Sequence, residues 1–155
     1  MNNKIAKQFE VGRLHFKGGN YHRALEAYNW IVEKFPEKAA KSTSAKDPEG
    51  NRELVNIHYH RTLSYYELNN YAAAIEAAQT CLSLNSEPDV KVRVQYLLAM
   101  SAEQNRINDL AESVLLPLIK YLQGRGNATQ KDSSLLLLAS AHFQMGRLAV
   151  VRGAY

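Results

Sequence analysis

The chain has 155 residues, of which 46% are hydrophobic and 22% are charged, and this composition argues against an intrinsically disordered chain. Its net charge of +4 comes from 19 Lys and Arg against 15 Asp and Glu; no stretch concentrates basic residues, so charge alone does not indicate nucleic-acid binding. Cys81 is the single cysteine, which excludes an intramolecular disulfide and a metal site built from several thiolates.

The chain contains no long apolar run. Residues 1–14 lack the apolar core of a signal peptide, and the longest apolar run, residues 135–139, is far too short to cross a bilayer. We therefore expect a soluble, cytoplasmic protein that does not insert into membranes.

The first part of the chain predicts a pair of helices. Apolar residues recur at helical spacing over residues 3–17, and the Gly-Gly-Asn turn at 18–20 ends this helix and can cap the next one. The second helix is predicted over 21–34, and Pro36 stops it. Residues 37–50 have no apolar periodicity and are predicted to be a solvated linker.

Two further pairs and a single helix follow the same plan. Ser86 is predicted to cap the fifth helix, and Pro88 lies in its first turn, where a missing N–H costs little. Pro117 is expected to bend the sixth helix near Ser113. The predicted helices are 51–68, 71–84, 87–104, 108–123 and 132–145, and a short stub follows.

Small residues recur at a fixed interval. Ala24, Ala74 and Ala111 each follow a small or short residue by twelve positions. The preceding residues are Gly12, Thr62 and Ala99, and Ala139 precedes Val151 by the same interval in a shortened fourth copy. Small side chains at a helix crossing let antiparallel helices approach closely, so this spacing predicts stacked helix pairs.

These features resemble the tetratricopeptide repeat family. The residues of the first copy that match the family pattern are Gly12, Tyr21, Ala24, Tyr28, Ile31 and Pro36. The resemblance implies an all-α fold, a right-handed superhelix of antiparallel helix pairs. It implies one domain over 1–155, divided into repeat 1 (about 3–36), the linker (37–50), repeat 2 (about 51–85), repeat 3 (about 87–123) and a partial repeat 4 (about 129–155).

Two narrower resemblances concern the partner. The helix order is similar to that of immunophilin-type co-chaperones, which grip the acidic C-terminal tail of a heat-shock chaperone. Of that grip only Arg93 remains; the other positions are Phe9, Arg13, His60 and Leu97, so the clamp is not predicted. In size and architecture the chain also resembles the compact repeat chaperones of type III secretion, which hold apolar segments.

The concave face of such a superhelix is the predicted binding site for a partner. Its lining is aromatic and mildly basic, which is typical of interface positions that dominate binding energy. The alternative for each aromatic residue is simple packing between adjacent helices. The predicted lining residues are Phe9, Arg13, Phe16, Tyr59, His60, Leu63, Tyr66, Arg93, Tyr96, Leu97 and Met100.

No other residues predict chemistry. His58 and His60 are two apart and point to different helix faces, so no metal site is expected, and Cys81 is expected to pack in the core. Asn127 matches a glycosylation pattern that has no use without secretion. No nucleophile with a base or phosphate-binding loop is found, so we expect neither an enzyme nor a cofactor.

The leading hypothesis is therefore a protein-interaction scaffold or adaptor that binds a peptide or helix with apolar anchors and some negative charge. A first alternative is a structural subunit that uses its convex face or its C-terminal edge, where Leu148, Val150 and Val151 are expected to begin a final helix that docks on another subunit. A second alternative is a chaperone of the secretion or co-chaperone type. A nucleic-acid adaptor is the least favoured alternative.

Overall fold

A computed structural model describes residues 3–34, 48–84, 87–124 and 132–151, and within them the backbone forms seven α-helices and no strand. The helices are α1 (Asn3–Lys17), α2 (Tyr21–Lys34), α3 (Pro48–Glu67), α4 (Tyr71–Ser83), α5 (Pro88–Gln104), α6 (Asn108–Gly124) and α7 (Asp132–Val151). The predicted all-α class is confirmed. No helix in the described ranges has both the length and the apolarity to cross a membrane.

The helices stack in pairs. α1 packs on α2, α3 on α4 and α5 on α6, and each odd-numbered helix also contacts the next odd-numbered one. Within the described residues the even-numbered helices do not contact one another, so the stack curves with the odd-numbered layer on its concave side. This arrangement is a solenoid, in which each pair contacts only its neighbours.

The same turn joins the helices of the first three pairs. Its central residue has a positive φ in each copy, 75° at Gly19 and 60° at both Asn69 and Arg106. The next N–H then donates to the carbonyl five residues back, which defines the Schellman motif. These bonds are Asn20 to His15, Asn70 to Tyr65 and Ile107 to Ala102, at 2.8 to 2.9 Å. The predicted glycine turn is confirmed, whereas an arginine in this conformation was not expected.

Small residues at the crossings are buried as predicted. Ala24, Ala74 and Ala111 are fully buried. A Cβ added at Gly12 would lie 2.6 Å from Cε1 of the fully buried Tyr28 ring, so α1 and α2 approach too closely for any side chain at this position. In the fourth copy the side chains of Ala139 and Val151 lie outside the described part.

Some predicted helix starts differ from the structure. Asn20 and Asn70 cap the second helix of their pairs, each accepting a backbone N–H at 3.3 Å. α5 instead begins after Glu87, whose side chain makes no capping bond, and the predicted cap Ser86 lies outside the described residues. α3 begins at Pro48, so residues 48–50 of the predicted linker are helical; proline suits the first turn of a helix.

Other predicted features fall on undescribed residues or remain untested. Pro36, residues 37–47 and Asn127 lie outside the described ranges. α6 continues through Pro117 to Gly124, and the bend expected near Ser113 stays a prediction.

The last helix corrects the prediction most clearly. We expected one helix to end at Met145 and another to begin by Leu148, but α7 continues through Gly146 to Val151. Ala141 and Leu148 are both buried in the core, seven residues apart, so the apolar face is unbroken across the glycine. One interior glycine costs about 1 kcal/mol, and burying a leucine contributes about 2 kcal/mol, so helix continuation is favoured.

The buried side chains form two main clusters that meet on α3. The smaller one joins α1, α2 and Ile57 of α3 around Tyr28. The larger one extends from Leu54 and Val55 of α3 to Leu148 of α7. The first helix pair is therefore attached to the rest of the solenoid through one face of α3.

Candidate functional site

Most of the predicted lining residues lie between the core and solvent on the odd-numbered helices. Tyr59, Leu63 and Tyr66 recur at helical spacing on α3 and are half-buried. Tyr96 and Met100 are half-buried on α5, and Arg93 is exposed on the same face. We call this set the tyrosine surface; its residues are Tyr59, Leu63, Tyr66, Arg93, Tyr96 and Met100.

Leu97 does not belong to this surface, which corrects the prediction. Only 9% of its surface is exposed. α5 contacts α3, α4, α6 and α7, so most of its circumference is covered and the exposed arc is narrow. One residue beyond Tyr96 is a rotation of about 100° around the helix, which carries the leucine into the interior.

Tyr66 of α3 packs against the first residue of α4. Its ring meets that of Tyr71 edge to face, with 5.6 Å between centroids. Burial is the main cause that raises the pKa of Tyr66, and Tyr71, Tyr96, Glu67 and Glu103 nearby raise it further. Its hydroxyl therefore stays protonated and can donate a hydrogen bond to a bound chain.

Glu103 of α5 is a polar residue near this surface that the sequence reasoning did not single out. Its side chain is 10% exposed and pairs with Arg147 of α7, at 3.3 Å between Nη2 and Oε1. The amide nitrogen of Gln144, in the orientation that satisfies both groups, also donates to this carboxylate. The spacing from Tyr96 and Met100, seven and three residues, was the available signal that Glu103 shares their face.

Phe9, Phe16 and His60 lie together at the junction of α1, α2 and α3. The rings of Phe16 and His60 are stacked, 4.6 Å apart and nearly parallel at 5°. The Tyr28 hydroxyl is hydrogen-bonded to His60 Nδ1 at 2.9 Å, and Phe9 packs against the Tyr28 ring. Burial and then the Arg13 charge lower the pKa of His60, so the imidazole is neutral at pH 7. These three residues mainly fill the junction between the first pair and α3.

The charge of Arg13 is paired with that of Glu10 on the same helix. Its guanidinium binds the Glu10 carboxylate through two bonds, Nη2 to Oε1 at 2.6 Å and Nε to Oε2 at 2.9 Å. This pairing raises the pKa of Arg13 and lowers that of Glu10. Of the two arginines among the predicted lining residues, Arg13 is half-buried and Arg93 is exposed.

His58 lies in a separate polar network between α2 and α3. Its Nδ1 accepts a bond from Arg61 Nη1 at 3.0 Å, and Arg61 Nε donates to Asn29 Oδ1 at 2.7 Å. Burial, with a smaller contribution from Arg61, lowers the pKa of His58 to about 4. Because a guanidinium can only donate, His58 is neutral with its proton on Nε2. This network joins helices and holds no ligand.

The described residues contain no group of three His, Cys, Asp or Glu side chains placed to hold a metal ion. Cys81 is buried as predicted, and its thiol contacts the Val55 carbonyl at 3.6 Å. Burial raises the pKa of Cys81 to about 12, so the thiolate nucleophile does not form near neutral pH.

The structure alters the set of residues that could form the predicted C-terminal contact surface, which was Leu148, Val150 and Val151. Leu148 is only 2% exposed and belongs to the core, so it is not part of any docking surface. Val150 is exposed, as is Phe143 on the same helix, which the sequence reasoning did not single out. The Val151 side chain lies outside the described residues.

The fold and this surface define a helix-pair repeat protein with an aromatic concave face. The sequence matches the tetratricopeptide repeat family over residues 10–42 and 61–118, more than half of the chain. The chain belongs to the tetratricopeptide repeat family, whose non-catalytic repeats mediate protein–protein interactions. Comparisons with curated proteins and with solved structures found no match.

Proposed function

We propose that this protein is an interaction scaffold that binds a partner peptide or helix on its tyrosine surface. The single observation that supports this is the half-buried cluster of Tyr59, Tyr66, Tyr96 and Met100 on the concave side of α3 and α5. Tyrosine and methionine side chains supply large contact areas at low conformational cost, and residues of this kind dominate protein interfaces.

The partner segment carries apolar or aromatic anchors and some negative charge. The anchors pack between the tyrosine rings, and the exposed Arg93 offers a forked donor for a carboxylate. Glu103 already binds Arg147 and Gln144, so it limits how far an acidic segment extends toward α7. We therefore expect the negative charge of the partner segment to lie next to Arg93.

A co-chaperone type of carboxylate clamp is less favoured. Four of the five positions that would form it are unsuitable. Phe9 is apolar and packs on Tyr28, and Leu97 is buried. His60 is stacked on Phe16, and Arg13 is bound to Glu10.

The proposed role involves no catalysis, cofactor or nucleic acid. The non-catalytic family, the inert thiol of Cys81 and the dispersed basic residues support this. We also propose that the protein acts in the cytoplasm.

A peptide-library selection tests the proposal without knowledge of the natural partner. Peptides displayed on phage are selected on the full chain, and their affinities are compared for wild type, the double variant Y66A/Y96A and the control Y121A, which removes an exposed tyrosine from the outer helix α6. We expect selected peptides to carry aromatic or leucine anchors. Loss of two interface tyrosines costs about 2 kcal/mol or more, roughly a thirtyfold weakening, while Y121A binds normally.

Equal affinity of the selected peptides for Y66A/Y96A and wild type contradicts the proposal, provided that both have the same helical circular dichroism. Equal weakening by Y121A also contradicts it, because the outer layer would then contribute as much as the concave face.

A further inference from the structure

The tyrosine surface carries hydroxyl groups that the folded chain does not use. Within the described residues, the hydroxyls of Tyr59, Tyr66 and Tyr96 make no hydrogen bond. Three other tyrosines have bonded hydroxyls, and the bonded pairs are Tyr28–His60, Tyr65–Asn29 and Tyr71–Asn69, at 2.9 to 3.2 Å. The buried side-chain oxygens without a partner in the described part are those of Ser64 and Ser101, so the hydroxyls of the tyrosine surface reach solvent.

The side chains of this surface offer mainly hydrogen-bond donors. Arg93 adds a guanidinium, which can only donate, to the three phenolic hydroxyls. Burial is the main cause that raises the pKa of Tyr66, so its hydroxyl keeps its proton. The six residues of the surface include no carboxylate, and the nearby Glu103 carboxylate is already engaged by α7. A matching ligand is therefore rich in hydrogen-bond acceptors and poor in donors.

The backbone conformation of a ligand decides how many free acceptors it supplies. In a helix the interior carbonyls are bonded within the segment, so they cannot accept from this surface. An extended segment of ordinary residues exposes its carbonyls together with N–H groups, for which this surface offers few acceptors. Proline has no N–H, and the polyproline II conformation leaves its carbonyls unbonded. A proline-rich segment therefore fits these donors better than a helix or a β-strand does.

The spacing of the tyrosines also suits this conformation. Tyr59 and Tyr66 are seven residues apart on one face of α3, which corresponds to about 10 Å. One turn of polyproline II spans about 9 Å, so carbonyls on one side of such a segment recur at nearly the same interval. Across the surface, Tyr96 of α5 is close enough to act electrostatically on Tyr66, and Arg93 lies three residues before Tyr96 on the same helix face.

We propose that the tyrosine surface binds an extended, proline-rich segment with a carboxylate next to Arg93. The proline rings pack on the faces of the three tyrosine rings, and the tyrosine hydroxyls donate to carbonyls of the segment; aromatic-lined grooves recognise polyproline II segments in this way. This inference rests on the proposed binding function and narrows it, because it selects an extended peptide over a helix.

The phage-displayed library supplies the probes for the test. Peptides selected on the full chain should be enriched in closely spaced prolines relative to the unselected library. In the tightest binder, replacing the prolines with alanine should weaken binding about tenfold or more in isothermal titration calorimetry. The reason is that alanine restores the backbone N–H groups and favours a helix.

The double variant Y66F/Y96F tests the role of the hydroxyls, because it removes them and keeps the rings. Loss of two hydrogen bonds should weaken the proline-rich peptide about tenfold or more, with unchanged helical circular dichroism. The matched control Y121F, which alters an exposed tyrosine on the outer helix α6, should bind like the wild type.

The outcomes separate this inference from the proposed function. Selected peptides that lose affinity for Y66A/Y96A but show no enrichment in proline overturn the inference and leave the proposed function intact. Equal affinity of the proline-rich peptide for Y66F/Y96F and wild type also overturns the inference. Selected peptides that bind Y66A/Y96A like the wild type contradict the proposed function itself.

Discussion

Replacing Gly12 with alanine tests the close crossing of α1 and α2. The new Cβ would lie 2.6 Å from Tyr28 Cε1 and 2.9 Å from two more ring atoms. The ring cannot move aside easily, because it is fully buried and its hydroxyl is bonded to His60. Overpacking of this kind costs about 1–3 kcal/mol, and the better helix propensity of alanine returns about 1 kcal/mol. We expect a net destabilisation of up to about 2 kcal/mol.

Urea unfolding followed by far-ultraviolet circular dichroism measures this change, with Gly146→Ala as the control. Gly146 is also inside a helix but has no atom within 4 Å of an added Cβ, so G146A should stabilise the protein by up to about 1 kcal/mol. The double variant G12A/Y28L copies the third repeat, which has Ala99 and Leu115 at these positions, and it should lose less than the sum of the single variants. If G12A is as stable as G146A, the close crossing of α1 and α2 is wrong.

Three further predictions concern stability. Arg106→Gly should stabilise the chain by about 0.5–1 kcal/mol in thermal unfolding, because glycine accepts the φ of 60° without strain; an unchanged or lower midpoint would argue against this turn. Leu148→Ala should cost about 2–5 kcal/mol, and a surface-like loss below about 0.5 kcal/mol would show that α7 does not pack on the core through this residue. The free energy of unfolding should be constant above pH 6.5 and fall toward pH 4. The reason is that unfolded His58 binds a proton in this range, whereas the folded imidazole, with its pKa lowered to about 4, does not. His58→Gln should flatten this dependence in urea titrations at several pH values, and an identical slope would exclude His58 as its source.

The helix pairs were predictable because their signals are local. A glycine with positive φ, an asparagine cap and a small residue at each crossing depend on residue type at fixed spacing, and Gly19, Asn20 and Gly12 behave accordingly. Arg106 was not predictable in this way, since its backbone conformation is imposed by the helices on either side and not by the arginine itself.

The candidate site was predictable in part, because exposure on a repeat helix depends on its neighbours. Tyr59, Tyr66 and Tyr96 follow from helical spacing, whereas the burial of Leu97 follows from four helices around α5. The loss of Arg13 as a free cation was readable from Glu10 three residues earlier. The end of α7 was not predictable from local signals, because it depends on the packing of Leu148 in the core.

The central claim is that the concave face of α3 and α5 binds the partner. A backbone-amide NMR titration of the chain with one library-selected peptide tests it directly. The largest chemical-shift changes should fall on the residues of the tyrosine surface, around Leu63, Tyr66, Tyr96 and Met100, with small changes on α4 and α6. Shifts concentrated on the outer helices α4 and α6, with the tyrosine surface unaffected, would contradict the claim.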